Sequence, residues 1–199
     1  MSGNRTADFE RAIRTGGVVL FPSDTVYGLA CDPTNATAIE RLYALKARSP
    51  DKSAAVMFFD LEAALTALTD LGARTRAALQ RLMPGAVTVL VPNPWRLFPL
   101  ASKAEPDVLG VRVVNVAMLR GASVAVLQSS ANPTGDADPR TLAAVAPAIR
   151  AGATLEIDGG ELPGIPSTVI DLRAYEQDGS WAIVRRGLAS EDAVVSALG

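Results

Sequence analysis

VVLFPSDTVYGL, residues 18–29, joins a run of core-type side chains to a polar segment. Four consecutive apolar residues, Val18 to Phe21, read as a buried strand. The loop that leaves it carries Ser23, Asp24, Thr25 and Tyr27, closes on Gly28 and runs on to Leu29, Ala30 and Cys31. Hydroxyls and a carboxylate at the end of a core strand are costly to desolvate unless something binds them there. Open α/β sheets place their ligands at strand ends of this kind.

Working outward, helical periodicity is read over 7–14, 36–48, 61–68, 73–83, 141–151 and 191–198. The stripe Ala38, Ile39, Leu42, Tyr43 and Leu45 marks the second of these. Strands are read over 18–21, 54–59, 87–91, 108–114, 123–127, 154–157, 168–172 and 181–184. Residues 116–119 form at most a short helix. The stretch 92–106 holds Pro92, Pro94, Pro99 and Pro106 and reads as an irregular excursion or flap. Strands and helices alternate, with late strands in succession. This predicts one α/β domain over residues 1–199, a twisted mixed sheet with flanking helices.

The bulk properties bound the chemistry. At 199 residues, 49% hydrophobic and 20% charged, the chain suits an ordinary globular domain. A net charge of -2 argues against a broad nucleic-acid-binding face, though not against a local cationic pocket. The single Cys31 permits no internal disulfide and fits a reducing compartment. The absence of histidine excludes Ser-His-Asp and Cys-His catalysis and imidazole metal sites. A bound metal would rely on carboxylates and substrate oxygens, which points to magnesium. No apolar stretch approaches the roughly 18 residues of a membrane span. The opening MSGNRTADFERA lacks the apolar core of a signal peptide, so no membrane association and a cytoplasmic location are expected.

Five polar clusters end apolar runs. Besides the Ser23–Tyr27 loop there is Lys46-Ala47-Arg48, followed by Ser49-Pro50-Asp51-Lys52-Ser53. Lys46 and Arg48 share no helix face and converge only if the helix ends there; otherwise they are simply cations at a helix C-terminus. Arg112 interrupts the apolar run 108–114, on an exposed face or in a pocket where it holds an anion bidentately. Gln128 to Gly135, containing Ser129, Ser130 and Asn132, reads as a plain turn or as a loop offering hydroxyls and N–H groups to an anion. Ser167 and Arg185 belong to the last cluster. Together these residues suit a polyanion such as a nucleotide triphosphate, with catalysis by positioning and charge neutralisation. Neither GxxxxGK(S/T) nor GxGxxG is present.

The order and spacing of these pieces resemble the YrdC-like, TsaC-type threonylcarbamoyl-AMP synthases. The matching segments are PSDTVYGL (22–29), KAR (46–48), PGAVTVL (84–90), VRV (111–113), SSANPTG (129–135), PSTVID (166–171) and VRRG (184–187). The resemblance implies a cationic concave cavity and a nucleotidyltransferase that makes threonylcarbamoyl-AMP and pyrophosphate from L-threonine, bicarbonate and ATP. Mg²⁺ would accompany ATP, and a separate tRNA-modifying transferase complex would act downstream. By position, Thr25, Arg112 and Ser167 would contact threonine, and Arg48, Lys52, Ser130, Asn132 and Arg185 would contact ATP. Lys46 and Arg48 would serve catalysis, and Tyr27 would line the cavity.

The chain departs from the family pattern at Val114 and Asn115, where the family has Pro and His. A second family histidine falls near Met57, Ser53-Ala54 replaces Pro-Leu, and the stretch between Arg112 and Ser130 is shortened. These departures are expected around the amino-acid end of the pocket. They motivate one alternative, a paralogue acting on another amine or carbamoyl donor. A non-catalytic RNA-binding module is the other. The family's longer members carry an extra C-terminal domain, so this chain is expected to be the minimal form.

Overall fold

The polar loop after Phe21 is shorter than the sequence suggests, because the chain turns back as a strand. In the computed structural model, which describes residues 5–199, β1 (Val19–Pro22) and β2 (Tyr27–Cys31) form an antiparallel hairpin with Phe21 opposite Gly28 and Pro22 opposite Tyr27. Ser23 closes the turn: its N–H donates to the Val26 carbonyl at 3.1 Å and its hydroxyl donates to the same oxygen at 2.7 Å. β2 escapes a periodicity reading because every one of its residues is buried, so no polar alternation marks it.

The remaining strands are β3 (Ala55–Phe58), β4 (Val87–Pro92), β5 (Val108–Val113), β6 (Val126–Ser130), β7 (Leu155–Glu156), β8 (Thr168–Asp171) and β9 (Ala182–Arg185). They form one sheet in the order β7-β1-β2-β6-β3-β5-β4-β8-β9. The pairs β1–β7, β3–β5 and β4–β8 are parallel and the others antiparallel, so the sheet is mixed, as expected. β6 lies later than the expected 123–127. Gln128, Ser129 and Ser130 belong to it because β2 and β3 bond it from both sides.

The helices are α1 (Arg5–Arg14), α2 (Ala36–Leu45), α3 (Leu61–Ala67), α4 (Ala73–Leu82), α5 (Pro147–Gly152), α6 (Tyr175–Asp178) and α7 (Glu191–Leu198). The expected helix 141–151 is divided into a 3-10 turn, Leu142–Ala144, and α5. Pro147 causes the division: it forces Ala146 out of the helical region and then opens α5, where its missing N–H costs nothing. α6 is a single turn absent from the sequence reading, ended by Gly179 at φ 81°. Among the described residues no helix is long and apolar enough to cross a membrane. The reading of the N-terminus lies partly outside the description, at residues 1–4.

The excursion 92–106 is fixed at its neck by a buried asparagine. Asn93 Nδ2 donates to the Leu97 and Pro106 carbonyls, each at 3.0 Å, and its Oδ1 accepts from Leu97 N–H at 2.8 Å. Phe98, at φ 51°, packs edge-on against Phe58. The excursion is therefore anchored to β3.

The two sheet faces are covered unequally, and this locates the site. One face, including Leu20, Leu29, Val56, Val89, Val111 and Leu127, packs on α2, α4 and α7. On the other, Phe9 and Ile13 of α1 cover Val19, Phe21, Ala30, Met57 and Val126. That second cluster spans β1, β2 and parts of β3 and β6. Beyond it the same face of β4, β5 and β8 carries the residues that line a cavity.

Candidate active site

The cavity has a volume of about 360 Å³. Its floor is the uncovered sheet face: Ala55 of β3, Thr88 and Leu90 of β4, Val108, Gly110 and Arg112 of β5, and Gln128 of β6, whose end at Ser129 and Ser130 forms one wall. Thr25, Arg48, Ser167, Arg185 and Glu105 close its sides. The hydroxyl and amide side chains on this floor stand at positions where an otherwise apolar strand turns one polar residue toward the bare face.

Arg112 rises from the floor and is only 3% exposed. Its Nη2 lies 2.5 Å from Asp24 Oδ1 and 3.5 Å from Thr25 Oγ1, and its Nη1 lies 3.5 Å from Gln128 Oε1. Its Nε is buried and has no hydrogen-bond partner among the described residues. Burial pushes the Asp24 carboxyl up, and the Arg112 charge opposes this. A guanidinium does not release its proton in a protein, so Arg112 stays a cation in the cavity lining. The sequence reading left its surroundings open; the structure places it in the pocket.

Arg48 reaches the cavity because α2 stops early. The expected helix 36–48 ends at Leu45, with Lys46 as C-cap and Ala47 at φ 48°. That left-handed residue separates the two cations. Arg48 turns outward, its guanidinium 5.4 Å from the centre of the Tyr43 ring and bonded to the Ser53 carbonyl. Its Nε is also buried without a partner. Lys46 turns inward and is 2% exposed. Burial lowers its pKa to about 8, the nearby Arg48 charge adds to this, and Asp138 opposes it.

Ser167 and Arg185 are brought together by close backbone packing. A Cβ on Gly187 would stand 2.3 Å from the Pro166 carbonyl oxygen, so only glycine allows the approach. Leu188 N–H donates to that same carbonyl at 2.8 Å. Arg185 Nη2 then donates to the Ser167 carbonyl at 2.8 Å and reaches its hydroxyl at 3.2 Å. The Ser167 and Thr88 hydroxyls are 2.8 Å apart.

Of the residues singled out from sequence, Thr25, Arg48, Arg112, Ser130, Ser167 and Arg185 converge on the cavity. Tyr27, Lys46, Lys52 and Asn132 are not on its lining. Tyr27 belongs to the helix-covered core; its hydroxyl lies 2.9 Å from both Asp158 Oδ1 and the Gly160 carbonyl and accepts from Gly159 N–H. Alternation along β2 turns it to the face opposite the cavity. Lys52 is exposed, and Asn132 is buried in the loop behind β6. Met57 is buried beside Arg112 in register but packs under α1, and Asn115 is exposed; neither lines the cavity.

Sequence reasoning missed Asp24 as the partner of Arg112, and Thr88, Glu105 and Asp138 as lining residues. Thr88 carried a signal, a lone hydroxyl in the run Val87 to Val91. Glu105 carried none, since its place depends on how the excursion folds back.

A family model, Sua5/YciO/YrdC, described as telomere recombination, matches residues 11–187. Curated relatives include a threonylcarbamoyl-AMP synthase from Chromohalobacter salexigens, 36% identical over 181 residues that cover 88% of this chain and 96% of that one. Another, from Chromobacterium violaceum, is 33% identical and covers 82% of this chain and 86% of its own. Among solved structures, P. abyssi Sua5 complexed with L-threonine superposes with a TM-score of 0.84 at 25% identity, over 98% of this chain and 57% of that one. E. coli YciO superposes with a TM-score of 0.82 at 22% identity, over 96% and 94%, a likeness of fold. With the family model matched along residues 11–187 and two synthases 36% and 33% identical over most of their lengths, the chain belongs to the Sua5/YciO/YrdC family.

Proposed function

We propose that this protein is a threonylcarbamoyl-AMP synthase, a nucleotidyltransferase that joins L-threonine, bicarbonate and ATP. The observation that carries the reading is the buried Arg112 with a free Nε, set in one cavity with Arg48 and Arg185 and rimmed by hydroxyls. Such a cavity suits two anions at once, a carboxylate and a triphosphate. Relatives named for this activity, and a Sua5 structure that holds L-threonine, support it.

In this reading Arg112 takes the threonine carboxylate, with Thr25 and Ser167 beside the rest of the amino acid. Arg48, Ser130 and Arg185 take ATP. The threonine amine adds to bicarbonate, and water leaves as the carbamate forms. A carbamate oxygen then attacks the α-phosphorus, and the bond to pyrophosphate breaks. The arginines neutralise the charge that pyrophosphate carries away. Among the described residues no group of three or more acidic, cysteine or histidine side chains could hold a metal ion. In this reading magnesium enters as part of the ATP substrate. Work in the cytoplasm, upstream of a tRNA-modifying transferase, belongs to the same proposal.

The test is pyrophosphate release with ATP and bicarbonate, offering each amino acid in turn. Release that depends on threonine is expected. Release with a different amine only would move the protein to the paralogue reading, and no release with any amine would overturn synthesis altogether.

A further inference from the structure

Lys46 is a buried cation with every donor in use. An ammonium has three N–H groups. Lys46 Nζ is bonded to the Ser130 carbonyl, to the Asn132 carbonyl at 2.6 Å and to Asn132 Oδ1 at 3.0 Å. Nothing remains to give a substrate. The same residue fastens the loop a second time through its backbone: its carbonyl accepts from Thr134 N–H at 2.8 Å and from Thr134 Oγ1 at 3.1 Å. Within the loop, Asn132 Oδ1 also accepts from Ser130 Oγ at 2.6 Å, and Asn132 Nδ2 donates to the Asp136 carbonyl at 2.6 Å. One residue therefore holds both ends of the segment 130–134.

We infer that Lys46 is a positioning residue that shapes the cavity wall at Ser129 and Ser130 from behind, and that it touches neither ATP nor threonine. The inference rests on the nucleotide reading of that wall. Three carbonyl-type oxygens face inward around Nζ, and without the ammonium they would repel one another and lose their donors. The wall would then open and the nucleotide would bind loosely, while the floor that carries Arg112 would be unchanged. Arg48, two residues on, is built differently: its guanidinium lines the cavity with its Nε unused.

Two measurements test this. In the native protein, lysines are acetylated with a water-soluble reagent, with and without MgATP, and mapped by mass spectrometry; exposed Lys103 serves as the internal control. Lys46 is expected to resist in both conditions. Ready labelling that MgATP blocks would mark a substrate contact and overturn the inference. In Lys46→Met, amide hydrogen exchange over 126–138 without nucleotide is expected to accelerate. The KM for ATP is expected to rise about tenfold or more, with kcat and the KM for threonine within about threefold of native. Unchanged exchange, or a kcat loss of about 100-fold at an unchanged KM for ATP, would overturn it. If native protein binds no ATP, the functional reading fails, and the labelling and exchange results still judge the role of Lys46. If Lys46→Met does not fold, the labelling of native protein decides alone.

Discussion

Arg112 Nη2 lies 2.5 Å from Asp24 Oδ1, so the loop between β1 and β2 reaches across the sheet to hold a cation on the floor of the cavity. The pair leaves the Arg112 Nε edge without a partner. Asp24 thus fixes the orientation of the guanidinium on the cavity floor.

Asp24→Asn keeps the shape and removes the charge. The arginine is then buried without its counter-ion, a loss of about 1–2 kcal/mol, less than for a fully buried pair because Asp24 is 18% exposed. The KM for threonine is expected to rise about tenfold, with the KM for ATP little changed. Urea unfolding and steady-state kinetics on the same preparation check both.

Arg48→Ala removes a cavity cation whose structural contacts are the Tyr43 ring and the Ser53 carbonyl. Adenylate formation is expected to be lost, with stability within about 1 kcal/mol of native. A large fall in melting temperature would instead assign Arg48 to capping α2.

Gly187→Ala places a methyl group against backbone, 2.3 Å from the Pro166 oxygen and 2.4 Å from the Ser167 carbonyl carbon. Neither atom can move aside cheaply. A cost of about 1–3 kcal/mol is expected, together with weaker ATP binding, because Arg185 loses its place beside Ser167. Thermal melts and nucleotide titration measure the two effects, and native affinity would separate Arg185 from the site.

Lys46 gives a pH signature. Its folded pKa is lowered from 10.5 to about 8, chiefly by burial, with Arg48 and Asp138 as the charged neighbours. Between these values the unfolded chain binds more protons here than the folded one, so this residue's contribution to stability rises with pH. Below about pH 8 it is flat, with the penalty for burying the ammonium fully present. The melting temperature of native protein minus that of Lys46→Met is expected to grow from pH 8 toward pH 10. A difference that shrinks over that range would contradict it.

The sheet and its helices were legible because strands and amphipathic helices leave distinct periods, and Thr25, Arg48, Arg112, Ser130, Ser167 and Arg185 were legible as polar side chains in or at the ends of apolar runs. β2 was not, since burial on both faces removes alternation and leaves only Gly28 in a small-residue run. Missing β2 also hid the direction of Tyr27, which alternation turns toward the helix-covered core. Ser129 and Ser130 read as a turn by composition, yet pairing with β2 makes them strand. The different fates of Lys46 and Arg48 depend on one left-handed residue, Ala47, which no propensity marks. The Asp24–Arg112 pair joins residues far apart in the chain, and only the folded sheet brings them together.

The most direct test of the central claim supplies ¹³C-bicarbonate with ATP, magnesium and L-threonine and follows the products by mass spectrometry. The account predicts a threonylcarbamoyl-adenylate heavier by one mass unit than its ¹²C counterpart, formed in step with pyrophosphate. An adenylate of threonine without the labelled carbon, or no adenylate at all, would contradict it.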